Sequence, residues 1–117
     1  YDNTILYTDH ILAEVIKIIK PLPNAEMLYL SDHGESLGEK GIYLHGFPYG
    51  LAPEEQKHIP MIYWSAEMNQ RPDYAKCVMS LKNSPVSQDN LYDILLGLTD
   101  VQSKTYQPVT DIFNACR

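Results

Sequence analysis

The sequence predicts an α/β fold, and three segments indicate it. Apolar residues recur at helical spacing through residues 5–19, and this pattern stops at Pro21. Two short apolar runs, residues 27–30 and 59–64, have the length of strands and are bounded by turn-forming residues. A helix that is followed by short apolar strands and then by further helical patterns is typical of α/β proteins.

The first helix is expected to begin after Asn3, whose side chain suits an N-cap position. Lys17 and Lys20 would lie in its last turn, where the helix dipole favours cations. The run at residues 27–30 is apolar without alternation, which predicts a strand buried on both faces, as in parallel sheets. Because no strand precedes the helix, we expect the chain to be an internal cut through a larger fold.

The remaining elements follow from turn residues and apolar spacing. Glycine and proline are dense between residues 34 and 53, which predicts loops there. A short helix is expected near residues 74–81, and Ser87 is the predicted N-cap of a further helix. The apolar residues of that further helix are Leu91, Ile94, Leu95 and Leu98. The tail, residues 105–117, is expected to hold a short strand or turn. Its expected buried side chains are Val109, Ile112 and Phe113.

The composition is that of one globular domain with an acidic balance. The chain has 117 residues, with 9 Lys and Arg against 15 Asp and Glu and a formal net charge of −6. No basic stripe is available to neutralise phosphates, so nucleic acid is not an expected partner. No apolar run approaches the roughly 18–20 residues that cross a bilayer.

The chemically suggestive residues follow the first predicted strand. Asp32 and His33 lie at its carboxyl end, where ligands bind in α/β sheets. Gly34 permits a break in the strand, and further glycines let the loop return, so that His45 approaches the same cleft. Carboxylate and imidazole together are a ligand set that suits Zn²⁺. The spacing therefore favours a zinc site.

An alternative stays open at this point. An Asp-His-Gly sequence after a strand is often only a turn, in which the aspartate accepts bonds from backbone amides and the histidine is exposed. Glu35 and Glu39 would hold a second cation or a substrate amine, or would simply be solvated. His10 and His58 are expected to be solvated on the surface.

The residues resemble a known family over nearly the whole chain. Residues 28–39 read Leu-Tyr-Leu-Ser-Asp-His-Gly-Glu-Ser-Leu-Gly-Glu, a string far more specific than an Asp-His pair. The other matching segments are residues 1–9, 41–46, 52–53, 56, 60, 87–91 and 95–99. In these segments the chain is similar to the phosphoethanolamine transferases that modify lipid A, including the mobile colistin-resistance enzymes. That family belongs to the alkaline phosphatase/sulfatase superfamily.

The resemblance implies a fold and a set of site residues. The fold would be the C-terminal portion of an α/β/α sandwich, incomplete on this chain. Residues 1–117 would form the C-terminal part of the periplasmic catalytic domain, without the N-terminal membrane domain and the first part of the catalytic domain. Asp32 and His33 would be ligands of the catalytic Zn²⁺. His45 would be a catalytic residue that contacts phosphoethanolamine or a second zinc. Glu35 would bind the substrate and would lie behind the metal ligands or near that second ion.

The resemblance also implies an activity and a location. The expected reaction is zinc-dependent transfer of phosphoethanolamine from phosphatidylethanolamine to a lipid A phosphate, through a covalent threonine intermediate. This reaction would give resistance to polymyxins, colistin included. The enzyme would lie in the inner membrane, with its catalytic domain facing the periplasm. The nucleophilic threonine and the remaining zinc ligands are expected in earlier sequence, so the isolated chain is predicted to be inactive and to bind Zn²⁺ weakly.

Two other functions remain as alternatives. The first is another member of the superfamily, such as a phosphoglycerol transferase or a sulfatase. The second is a non-catalytic secreted module whose Asp-His-Gly turn is inert.

An oxidising periplasm would suit a disulfide between Cys77 and Cys116. Pairing with cysteines elsewhere, or two free thiols, are the alternatives to that bridge.

Overall fold

The computed structural model describes all 117 residues, which divide into two compact units, Tyr1–Ala66 and Glu67–Arg117. The elements of the first unit are α1 (Asp2–Ile19), β1 (Glu26–Leu30), β2 (Ser36–Leu37), β3 (Tyr43–Leu44), α2 (Glu54–Lys57) and β4 (Met61–Ser65). The helices of the second unit are α3 (Pro72–Ser80) and α4 (Leu91–Leu98), with 3₁₀ turns at Leu81–Asn83, Gln88–Asn90 and Asn114–Cys116. The predicted mixture of helices and strands is confirmed.

Helix α1 begins two residues earlier than the sequence predicts. Its N-cap is Tyr1 rather than Asn3, and the Thr4 hydroxyl donates to the Tyr1 carbonyl at 2.6 Å. The helix ends before Pro21, as expected, because proline cannot continue the hydrogen-bond ladder. None of its residues is buried within this chain. No helix of the protein combines the length and the apolar character that a membrane crossing needs.

Strands β1 and β4 form a two-stranded antiparallel sheet, in which Glu26 lies opposite Ser65 and Leu30 opposite Met61. The parallel pairing expected for β1 is therefore wrong within this chain, and Met27 is the only buried residue of the strand. A run of four apolar residues reports the tendency to be buried, but it carries no information about the direction of the partner strand.

The connection between these strands contains the hairpin that the sequence did not reveal. Strands β2 and β3 pair antiparallel, with Ser36 opposite Leu44 and Leu37 opposite Tyr43. Two-residue strands carry too few side chains for an apolar alternation to be visible. The turn between them uses Gly38 at φ +124° and is fastened by Glu39, whose carboxylate accepts the Leu37 amide at 2.7 Å.

The second unit packs around Ile94, which is fully buried, and Phe113. The predicted capping role of Ser87 is confirmed, because its hydroxyl accepts the Asp89 amide while its own amide donates to the Asn90 side chain. Among the tail residues that were expected to be buried, Phe113 is buried, whereas Val109 is 88% exposed. Apolar character alone did not distinguish them.

Two buried aspartates fasten the tail, and sequence reasoning missed both. Asp93 accepts from the Gln107 amide at 2.8 Å and from the Thr110 hydroxyl. Asp111 accepts from the Tyr106 hydroxyl at 2.7 Å and pairs with the terminal arginine. This hydrogen bond to Asp111 raises the pKa of Tyr106, since it favours the protonated phenol.

The predicted disulfide between Cys77 and Cys116 is present, with the two Cα atoms 5.6 Å apart. It links α3 to the last 3₁₀ turn of the chain. No cysteine is left free.

Candidate metal centre

The site begins at the loop that follows β1. The Ser31 hydroxyl donates to the His33 carbonyl at 2.8 Å, and the His33 amide donates to Asp32 Oδ1 at 3.1 Å. These short-range bonds turn the chain directly after the strand. The turn presents the Asp32 carboxylate and the His33 ring at the carboxyl end of β1, where the sequence places the candidate site.

The sequence predicts that Gly34 is required for its backbone conformation. The structure shows that it is required because another backbone segment approaches it closely. A Cβ at this position would overlap the carbonyl oxygen of Glu55, and the Gly34 amide donates to the Gln56 carbonyl at 3.0 Å. The loop thus lies directly against the backbone of α2, and only a residue without a side chain fits there.

The β2–β3 hairpin brings His45 back to the loop. Glu35 directly precedes β2 and His45 directly follows β3, so that the antiparallel pairing places the two side by side. His45 Nδ1 lies 2.9 Å from Glu35 Oε2. Leu44 has φ +67°, a left-handed conformation that turns the chain immediately before His45.

Three side chains meet at this point. The rings of His33 and His45 stack with their centroids 3.9 Å apart and their planes at 30°. His33, Glu35 and His45 each offer one ligand atom, and these atoms lie within 4.8 Å of one another. The two histidines are exposed and the glutamate is half-buried, so the cluster faces solvent on one side.

The hydrogen bond of His33 fixes which ring nitrogen is available. Its Nδ1 lies 2.9 Å from the Gly34 carbonyl, and since a carbonyl oxygen only accepts, Nδ1 carries the proton. In the neutral ring, Nε2 then has a free lone pair, and it lies 3.7 Å from Asp32 Oδ2. Two tetrahedral zinc ligands, each bound at about 2.0–2.1 Å, lie about 3.3 Å apart. The spacing of Asp32 and His33 is close to that value.

His45 is oriented in a comparable way. Glu35 holds its Nδ1, which leaves Nε2 for another partner. In metal sites, a ligating histidine almost always donates its second ring N–H to a carboxylate or a backbone carbonyl. His33, with Gly34, and His45, with Glu35, both have this arrangement. The donor set of imidazole and carboxylate groups fits Zn²⁺.

A cleft of about 440 Å³ opens beside the cluster. It is lined by α1 on one side and by the site loop on the other, with Asp32, His33 and Glu35 in its wall. His58 also lines it and is exposed, whereas His10 lies on α1 near the Tyr7 ring.

The residue that sequence reasoning missed is Gln56, which lies between Glu55 and Lys57. Its side chain is buried and donates to Ser36 Oγ at 2.9 Å and to the Leu44 carbonyl at 3.1 Å. A glutamine between charged residues gives no signal of burial in the composition of the segment. The resemblance did include position 56, but it assigned no role to it.

Comparison with known proteins identifies the class to which this fold and site belong. A family described as Sulfatase matches residues 1–101, and the chain belongs to that family. Among curated relatives, phosphoethanolamine transferase EptA of Salmonella typhimurium is 46% identical over 123 residues, which cover 100% of this chain and 22% of the relative. The resemblance that the sequence predicts is therefore confirmed. The chain spans about a fifth of the length of that relative.

Solved structures agree with this assignment. The C-terminal periplasmic domain of phosphoethanolamine transferase EptC from Campylobacter jejuni is 47% identical with a TM-score of 0.88, over 97% of this chain and 36% of that one. The soluble domain of lipooligosaccharide phosphoethanolamine transferase A from Neisseria meningitidis is 40% identical with a TM-score of 0.89, over 100% of this chain and 37% of that one. The predicted sulfatase-like fold, present here in part, is confirmed.

Proposed function

We propose that this chain forms the metal-holding part of an enzyme that transfers phosphoethanolamine from phosphatidylethanolamine to a lipid A phosphate. The observation that carries the proposal is the convergence of His33, Glu35 and His45, with Asp32 adjacent, at the end of β1. Relatives named as phosphoethanolamine transferases, one of which acts on lipooligosaccharide, support the substrate class. An inert turn would have no need of two oriented imidazoles.

The metal in this proposal is zinc, held on this chain by Asp32 and His33. When bound there, zinc would lower the pKa of an attacking hydroxyl and would offset charge on phosphoryl oxygens. Without a cation, the neutral His33 ring would direct its Nε2 lone pair at the Asp32 carboxylate, with two acceptors 3.7 Å apart. A cation bound between the two groups would remove this repulsion, and the exposed position of His33 leaves room for the cation.

His45 acts on the substrate in this proposal. Glu35 accepts from Nδ1 of His45 at 2.9 Å and thereby fixes the direction of the ring. When Nε2 carries a proton, it can donate to a phosphoryl oxygen or to the leaving group. Glu35 orients the ring and in addition offers negative charge to the ethanolamine ammonium group.

The covalent step requires a nucleophile, and the two threonines that line the cleft, Thr4 and Thr8, donate their hydroxyls to backbone carbonyls at the start of α1. We propose that a threonine elsewhere in the protein carries the phosphoethanolamine group, and that further ligands elsewhere complete the zinc site. Catalytic zinc usually has three protein ligands. Residues 1–117 alone would then bind Zn²⁺ weakly and show no transferase activity, as the C-terminal part of a catalytic domain.

The proposed location is the inner membrane, with this part of the protein in the periplasm. The bridge between Cys77 and Cys116 suits an oxidising compartment, and the EptC structure is described as periplasmic. Adding an ethanolamine ammonium group to a lipid A phosphate reduces the negative surface charge. Cationic polymyxins, colistin included, would then be attracted less strongly.

A second candidate is hydrolysis or transfer of another phosphate or sulfate ester, because the matching family is described only as Sulfatase. Expression of the parent gene in a Gram-negative host without its own transferase separates the two. Mass spectrometry of lipid A should show added phosphoethanolamine, which Asp32→Ala or His33→Ala abolishes and the exposed control His10→Ala does not. Unmodified lipid A, together with turnover of a sulfate or phosphoglycerol ester, would favour the alternative.

A further inference from the structure

The buried side chain of Gln56 fastens both strands of the hairpin. Its Nε2 donates to Ser36 Oγ on β2 and to the Leu44 carbonyl on β3, at 2.9 and 3.1 Å. Ser36 and Leu44 lie opposite each other in the pairing register. A hairpin with two residue pairs is marginally stable by itself, so one amide that bonds to both strands contributes a large share of its order.

The backbone of the same residue holds the site loop. The carbonyl of Gln56 accepts the Gly34 amide at 3.0 Å, next to the close approach of Gly34 to Glu55. Gln56 therefore joins α2 to three separate points of the loop and hairpin. Ser36 is 1% exposed, so these contacts lie inside the protein, where hydrogen bonds are least replaced by water.

Each of the three contacts lies one residue from a member of the cluster. The neighbouring pairs are His33 and Gly34, Glu35 and Ser36, and Leu44 and His45. Gln56 itself offers no ligand atom to the cluster. Its bonds instead set the backbone positions from which the three side chains of the cluster extend.

We infer that Gln56 is a positioning residue that holds Glu35 and His45 against the ring of His33, which is a ligand in the proposed zinc site. This inference rests on the proposed zinc site. Removing the side-chain donors leaves Ser36 Oγ and the Leu44 carbonyl without this partner and frees β3 to move relative to the loop. His33, Glu35 and His45 are all still present in such a variant, but the distances between their side chains are no longer fixed.

The test is Gln56→Met, which keeps the length of the side chain and removes both donors. In the metal-free chain, nuclear Overhauser contacts between the His33 and His45 rings, stacked at 3.9 Å, should disappear. Zn²⁺ affinity, measured by competition with a chromophoric chelator, should fall about 10–100-fold, as for other residues that orient metal ligands. Unchanged ring contacts and unchanged affinity would overturn the inference.

The matched control is Asn90→Leu. Asn90 is a half-buried residue whose side-chain Nδ2, like Nε2 of Gln56, donates to a backbone carbonyl, that of Thr110 at 2.8 Å. This control should lower the melting temperature, yet it should leave the ring contacts and the Zn²⁺ affinity as they are. An equal loss of affinity in the control would mean that general destabilisation explains the Gln56 result, and the inference would fail.

Ser36→Ala covers the case in which Gln56→Met does not fold. It removes one acceptor, keeps the bond to Leu44, and should weaken the ring contacts and the Zn²⁺ affinity less than Gln56→Met. If Ser36→Ala leaves both the ring contacts and the Zn²⁺ affinity unchanged, the inference is overturned. If the His33→Ala variant binds Zn²⁺ as tightly as the wild type does, the zinc proposal fails. The ring contacts then decide separately whether Gln56 positions the two histidines.

Discussion

Glu35 Oε2 lies 2.9 Å from Nδ1 of His45, across a hairpin whose strands are two residues long. The carboxylate is the less exposed partner, with 24% of its side chain accessible against 50% for the imidazole. A partly buried acceptor that holds one ring nitrogen determines the direction of the other.

Glu35→Gln is expected to weaken Zn²⁺ binding about 10–100-fold, because the neutral amide holds His45 less firmly against the stacked ring of the zinc ligand His33. The matched control is Glu39→Gln in the same hairpin, where the amide oxygen still accepts the Leu37 amide. Calorimetric titration with Zn²⁺ measures both variants. Equal affinities for Glu35→Gln and the wild type would contradict the orienting role of Glu35.

Gly34→Ala is expected to destabilise the protein by about 1–3 kcal/mol, the usual cost of forcing a group into a filled space. The added methyl group would overlap the Glu55 carbonyl oxygen, and neither backbone segment has room to withdraw without losing the Gly34–Gln56 bond. Gly50→Ala is the control, because a Cβ there meets no atom within 4 Å. Urea denaturation should separate the two variants, and a Gly34→Ala protein as stable as the control would refute the close approach.

Asp93→Ala is expected to reduce the free energy of unfolding by about 1–3 kcal/mol, the cost of leaving a buried polar partner unsatisfied. The Gln107 amide and the Thr110 hydroxyl both lose their acceptor. Asp73→Ala, in the exposed first turn of α3, should change stability much less. Chemical denaturation followed by circular dichroism compares them. Similar effects of both substitutions would show that Asp93 does not anchor the tail.

The disulfide between Cys77 and Cys116 closes a sequence separation of 39 residues. On the chain-entropy account, its removal should cost about 4 kcal/mol. Replacing both cysteines with alanine and measuring unfolding by denaturant checks that magnitude. Alkylation of the unreduced, unfolded wild-type chain should add no mass, and any added mass would mean that the thiols are free.

Much of the fold could be predicted because the sequence patterns that indicate it extend over many residues or involve only neighbouring ones. The helical spacing of α1, the apolar run of β1 and the capping function of Ser87 each depend on neighbouring residues. The antiparallel partner of β1 could not be predicted, since pairing direction depends on residues thirty or more positions away.

The candidate site, like the fold, could be predicted only in part. The residue types of Asp32, His33 and His45 indicated zinc chemistry, and the structure brings the two histidines together. The contact of Glu35 with the His45 ring depends on side-chain direction, which the sequence alone does not reveal. Gln56 was missed because its importance lies in three hydrogen bonds to residues 12–22 positions away.

The most direct test of the account is a crystal structure of the complete protein with zinc bound, with anomalous scattering measured at the zinc absorption edge. The account predicts a zinc ion about 2.0–2.2 Å from both Nε2 of His33 and a carboxylate oxygen of Asp32. Asp32 and His33 side chains that face apart, with the zinc bound elsewhere, would contradict it.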